Sequence, residues 1–122
     1  MARRHCEKRL AIIASSIIIL SKIKGVINMP IYILVSKLTN EGRKTIKNHP
    51  ERIKEVDQEI EKMGAKVLAQ YATLGKYDFI NIVEAPDNET IARVSTELGS
   101  RGTVEITTLS AIPIFEFVEK MG

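Results

Sequence analysis

The chain has a single cysteine, Cys6, among 122 residues, so it can build neither a disulfide framework nor a cysteine metal cluster. Histidine is nearly as scarce. Beyond residue 28 the only imidazole is His49, and a Ser/His/Asp site or a histidine metal site would have to be made from that one ring. The pair His5-Cys6 has no second pair at metal-ligand spacing. The glycines at 42, 64, 75, 99 and 102 fall at turns and helix ends and form no phosphate loop. Paired-carboxylate chemistry is missing too. Asp78 and Glu84 share a strand alternation but stand six residues apart, about 20 Å along a strand.

Long apolar runs are also lacking. The longest, Leu10–Leu20, is bounded by basic residues and is shorter than the roughly 20 residues a membrane-spanning helix needs. It has the length of a signal-peptide core. The Ser21-Lys22-Ile23-Lys24 that follows puts charge where cleavage should occur. Met29-Pro30 leads directly into the first strand. Residues 1–28 are therefore read first as sequence upstream of the true start, with a weak signal or anchor and a packed extra segment as the other readings.

The charge balance divides at the same place. Residues 1–28 carry Arg3, Arg4, Lys8, Arg9, Lys22 and Lys24 against Glu7, a net +5, so the remainder of a chain of net +3 carries −2. The pI of about 9.1 thus belongs to the leader. A mildly acidic domain is a poor binder of phosphate backbones.

What is present is a regular alternation of elements. Ile31–Leu38 has period two and reads as a strand with both faces apolar, Ile31, Ile33 and Val35 on one and Tyr32, Leu34 and Ser36 on the other. Residues 43–48 predict one or two helical turns. A helix begins at Pro50, carries Ile53, Val56, Ile60 and Met63 as its stripe, and ends at Gly64. Lys66–Thr73 and Tyr77–Glu84 are strands joined by a Gly75-Lys76 turn. Val67, Ala69 and Tyr71 share one face of the first, and Tyr77, Phe79, Asn81 and Val83 share one face of the second. Asp87 caps a helix with the stripe Ile91, Val94 and Leu98. Thr103–Ser110 is a fourth strand, and a short terminal helix carries Ile114, Phe117, Val118 and Met121.

The order β-α-β-β-α-β is the ferredoxin-like plan of the α+β class, a four-stranded antiparallel sheet with helices on one face. The uncovered face is expected to hold Tyr32, Leu34, Tyr77, Phe79 and Val83. A bare apolar face of that size calls for a second subunit packed sheet against sheet, a homodimeric barrel.

Met29–Leu38, Pro50-Glu51-Arg52, Leu74-Gly75-Lys76-Tyr77-Asp78 and Val83-Glu84-Ala85-Pro86-Asp87 together resemble the GYD domain family, whose name matches Gly75, Tyr77 and Asp78. The resemblance covers residues 29 to about 115 and implies a ferredoxin-like fold of the dimeric-barrel class. Members commonly begin where Met29 lies. His49 departs from the small capping residue the family more often places before the proline. The resemblance supplies no activity, cofactor or catalytic residue.

The plain reading of Asp78 is structural, a carboxylate bonding the turn N–H groups at Lys76 or Gly75. Tyr77 then packs across strands. The functional reading is a small-molecule pocket lined or rimmed by Tyr32, Tyr71, Tyr77, Asp78 and Asn81. The expectation is a cytoplasmic homodimer of residues 29–122 with a small-ligand-binding, regulatory or accessory role, no cofactor or metal, and no membrane contact unless residues 1–28 are a real anchor. A cofactor-free enzyme working in the barrel cavity is the alternative. RNA-recognition domains share the element order and place stacking aromatics on the first and third strands. Tyr32, Tyr77 and Phe79 fit that placing; Asp78, the tight turn and the acidic balance weigh against it.

Overall fold

The computed structural model describes residues 29–122. The expectations for residues 1–28 lie outside the described residues. In chain order the elements are β1 (Ile31–Leu38), α1 (Asn40–Asn48), α2 (Arg52–Lys62), β2 (Lys66–Ala72), β3 (Phe79–Glu84), α3 (Asn88–Gly99), β4 (Val104–Ala111) and α4 (Ile114–Met121). The strands form one antiparallel sheet in the order β2-β3-β1-β4, the ferredoxin-like arrangement. Among the described residues no helix is long and apolar enough to cross a membrane.

Local chemistry accounts for the element ends. Thr39 caps α1 by accepting the Gly42 N–H at 3.1 Å, and Asp87 caps α3 by accepting the Thr90 N–H at 2.8 Å. The α2 helix closes at Gly64, whose φ of 101° admits the Ala65 N–H bond back to the Ile60 carbonyl at 3.2 Å. His49-Pro50 separates α1 from α2, as the proline predicts; the regular part of α2 begins two residues after it.

The core lies between the sheet and the helices. Tyr32, Leu34 and Val83 meet Ile60 of α2 and Ile91, Val94 and Leu98 of α3, all buried. This inverts the expected sides of the sheet. Tyr32, Leu34, Phe79 and Val83 face the helices, and the uncovered face holds Ile31, Ile33, Val35, Ile80 and Ile82. Period two divides a strand into two sets of residues. Where both sets are apolar, it does not say which set faces the helices.

Two further corrections follow from the backbone. A bulge between Val67 and Ala69 puts Val67 opposite Val83 on the helix side, whereas Ala69 and Tyr71 pair with Ile82 and Ile80 on the open side. The β2–β3 connection runs over residues 73–78 and is wider than a two-residue hairpin. Its ends are tied by the Thr73 N–H to the Asp78 carbonyl at 2.8 Å, and Gly75 takes the positive φ of 105°. Tyr77 and Asp78 therefore precede β3.

Candidate functional site

On the helix-facing side of the sheet, the polar residues Ser36 on β1, Gln70 on β2 and Asn81 on β3 lie among apolar side chains, with Gln70 and Asn81 directly opposite each other. They line a cavity of about 230 Å³ between the sheet and the α1–α2 pair. Leu34, Phe79, Ile53, Val56, Leu98 and Val104 supply apolar wall. Arg52 of α2 and Arg101, just past α3, also border it.

The polar groups are in different states of engagement. The Gln70 amide donates to Asp57 Oδ1 at 3.0 Å, and burial pushes the Asp57 carboxyl up from its ordinary range against the opposing effect of that bond. Arg52 pairs with Glu59 at 3.0 Å and Glu55 at 3.2 Å, and Arg101 pairs with Glu59 at 2.5 Å and Glu97 at 3.3 Å. Glu59 thus bridges the two guanidinium groups, and the bond to Arg101, then that to Arg52, hold its carboxyl below the usual range. Asn81 is different. Its Oδ1 is sealed from solvent and accepts no hydrogen bond from the protein.

The residues expected to form one site are dispersed. Asn81 alone of the five lines the cavity. Tyr32 is 2% exposed and donates its hydroxyl to Asn88 Oδ1 at 2.5 Å; burial raises that hydroxyl's pKa, with Asp87 and Glu89 adding to the effect. Tyr71 stands on the open sheet face, 59% exposed. Tyr77 lies in the 73–78 connection with Lys76 Nζ 5.5 Å from its ring centroid. The Asp78 carboxylate accepts the Leu38 N–H at 2.7 Å, so its partner is β1 and not the turn at Gly75 and Lys76. Tyr32 and Phe79, turned toward the helices, offer no stacking platform for RNA bases.

Reasoning from sequence did not single out Ser36, Gln70, Asp57, Arg52 and Arg101. The signal for the first two was present: with Asn81 they are uncharged polar residues within strands, each with apolar residues two positions away on either side.

The second notable surface is apolar and exposed. On the open sheet face Leu68, Tyr71 and Leu109 rise beside half-buried Ile33, Val35, Ile80 and Ile82. The α4 helix is barer still, with Ile114, Phe115, Phe117, Val118 and Met121 all exposed. Among the described residues no group of three or more His, Cys, Asp and Glu is placed to hold a metal ion.

A family model for the GYD domain matches residues 32–121. A protein of Thermus thermophilus named glutamine synthetase and cystathionine beta-lyase binding protein is 50% identical over 94 residues, 76% of this chain and 99% of that protein. The crystal structure of MtbAldR is similar in fold at 22% identity, with a TM-score of 0.55 over 82% of this chain and 67% of that one. A further solved structure, also from Thermus thermophilus, aligns at 21% identity with a TM-score of 0.46, over 70% of this chain and 95% of that one.

Proposed function

Because the chain belongs to the GYD domain family, we propose that it is a homodimeric accessory protein that binds metabolic enzymes and adjusts their activity. The enzymes are those for which its Thermus relative is named, glutamine synthetase and cystathionine β-lyase. The observation that carries this reading is the extent of bare apolar surface in a chain half identical to a binding protein over nearly all of that protein's length. Contiguous apolar patches beyond a few hundred Å² are uncommon on monomers and mark interaction sites.

The two bare surfaces have different geometry and suit different occupants. The open sheet face is broad and self-complementary in character, and a second copy packed roughly 10 Å away would bury it on both subunits. The α4 helix has eight residues and makes no extensive contact with the other described elements. A helix that short is marginal alone in water. Its bulky apolar side chains fit a groove on an enzyme, the helix-in-groove mode of recognition. Such a protein works in the compartment of its enzymes, the cytoplasm.

The test is light scattering after size exclusion, with the full chain alone and mixed with purified glutamine synthetase or cystathionine β-lyase from the same source. A dimer mass alone and a complex with either enzyme at micromolar concentration are expected. A monomer would overturn the dimer. Failure of both enzymes to form a complex would overturn the accessory role.

A further inference from the structure

We propose that the cavity between the sheet and the α1–α2 pair takes a small organic ammonium ion, with the Asp57 carboxylate as its counter-ion and the apolar walls around its tail. The site lies on the side of the sheet away from the open face, so it stands or falls separately from the enzyme-binding reading.

The first observation is an unpaired charge. Among the described residues that line the cavity, Asp57 is the one acid. No basic group of the described residues lies within ion-pair distance of it. Its partner is the neutral Gln70 amide, which donates to Oδ1 at 3.0 Å. A partly buried carboxylate without a cation carries a desolvation cost. The fold does not need that charge, because an asparagine oxygen would accept from Gln70 equally well. A group kept at a cost to stability points to a function that uses it.

The second is a pair of open acceptors. Among the described residues nothing donates to Asp57 Oδ2. Gln70 spends its amide nitrogen on Asp57, and its Oε1 is free. Both residues line the cavity, and neither oxygen is sealed from solvent as Asn81 Oδ1 is. An ammonium has three donors and no acceptor. It would give one N–H to Asp57 and one to Gln70, and keep the third for water at the open side.

The third is the form of the cavity. Its volume is about 230 Å³, and it is open to solvent on one side, so a ligand can enter without local unfolding. Leu34, Ile53 and Phe79 offer apolar wall to a tail. An apolar pocket with a few convergent polar groups is the usual form of a small-molecule site. The rim selects the sign of the head. Arg52 and Arg101 are paired with Glu55, Glu59 and Glu97, two positive charges against three negative. With His49 beside Glu55 counted as neutral, that network carries −1, and Asp57 brings the sum to −2. An anion would have to break these pairs to reach an arginine. A cation at Asp57 breaks none.

Phenethylammonium, phenethyl alcohol and hydrocinnamate share an aromatic tail and differ in the charge of the head. They are titrated at neutral pH into the isotope-labelled full chain and followed by NMR. The ammonium is expected to bind about tenfold more tightly than the alcohol, the worth of one charge-assisted hydrogen bond, and to shift the Gln70 side-chain amide signals. Hydrocinnamate should bind weakest. Asp57→Asn should abolish the preference for the ammonium and retain the affinity for the alcohol. Glu61→Gln removes a charge from an exposed position of the same helix and should leave the preference intact. Equal affinity of the ammonium and the alcohol for the natural protein would overturn the counter-ion assignment. So would a preference that survives in Asp57→Asn, or one lost to the same extent in Glu61→Gln. Tightest binding of hydrocinnamate would put the head at Arg52 and Arg101 and overturn it as well. No binding of any probe at millimolar concentration would overturn the site, whatever the variants do.

Discussion

The Asp78 carboxylate and the Leu38 backbone N–H lie 2.7 Å apart, joining the residue that precedes β3 to the last residue of β1. The backbone acts in parallel, with the Asp78 N–H donating to the Ser36 carbonyl at 2.8 Å. The register between β1 and β3 ends at the Ser36–Phe79 pair. Asp78 thus continues the ladder past its last residue pair by substituting a side-chain oxygen for a backbone one. It also fixes where the 73–78 connection leaves the sheet.

This relationship predicts the effect of removing the carboxylate. Asp78→Ala leaves the partly buried Leu38 N–H without its acceptor and is expected to cost roughly 1–3 kcal/mol, the range for an orphaned donor. Asp78→Asn keeps an acceptor and should lose less than half as much. Urea denaturation of both variants checks this. Equal losses would mean that charge, and not the bond to Leu38, is what counts.

Gly42 is under a tighter steric limit than any other described glycine. A Cβ there would collide with the Thr103 carbonyl oxygen, where α1 passes the start of β4. The approach is held by the Thr39 N–H to that same carbonyl at 3.0 Å and by Thr39 Oγ1 to the Gly102 carbonyl at 2.8 Å. Gly42→Ala forces these apart and is expected to cost at least about 2 kcal/mol, at the upper side of ordinary overpacking. By contrast, a Cβ on Gly99 meets nothing within 4 Å. Gly99→Ala at the end of α3 should be neutral or slightly stabilising. Thermal melts of the two variants compare them directly.

The architecture was legible in the sequence because its signals were local. Caps, the proline at 50, and helical stripes at 53, 56 and 60 and at 91, 94 and 98 each act within a turn or two. The sidedness of the sheet was not legible. Tyr32 and Ile33 are both apolar enough for a core, and the choice between them depends on where α2 and α3 land. The bulge at Val67–Ala69 was hidden for a related reason: one extra residue changes the face of everything after it, and no glycine marks it. The cavity was half legible. Asn81 stood out as a polar group in an apolar strand, but its meeting with Gln70, Asp57 and Val56 is a product of register and helix docking.

The two buried-side carboxylates should respond to pH with opposite sign. Glu59 has its folded pKa lowered by Arg101 and Arg52, so its stabilisation is present above the unfolded value, roughly 4.3, and is lost as pH falls through the folded one. With the partners about 30% exposed, Glu59→Gln is expected to cost only about 1 kcal/mol at neutral pH, and the difference from the natural protein should vanish in acid. Asp57 has its folded pKa raised by burial, so the folded state favours the protonated form and loses stability as pH rises through that value. Asp57→Asn preserves the acceptor for Gln70 and should therefore match or exceed the natural protein at neutral pH, with the advantage fading below about pH 4. Denaturant midpoints from acid to neutral pH decide both signs. A Glu59→Gln gap that persists undiminished in acid would show that its carboxylate acts through packing and not through the two arginines.

The proposed division of labour between the open sheet face and α4 predicts two separable phenotypes. Tyr71 and Leu109 stand on the sheet face, 59% and 47% exposed, and Phe115 and Val118 stand on α4, 58% and 60% exposed. A charge placed at the centre of a sheet-to-sheet interface is left buried and unpaired, so Tyr71→Asp with Leu109→Asp is expected to reduce the particle from dimer to monomer. Phe115→Asp with Val118→Asp should leave the dimer mass unchanged. It should weaken enzyme binding by about 30-fold, the effect of losing roughly 2 kcal/mol at a central apolar anchor. All four positions are exposed in the single chain, so neither pair removes core contacts and both proteins should fold. If the α4 pair broke the dimer and the sheet pair did not, the terminal helix would be the subunit contact and the sheet face would become the surface for the enzyme. Loss of enzyme binding in the sheet pair alone, at unchanged dimer mass, would exchange the two assignments in the same way.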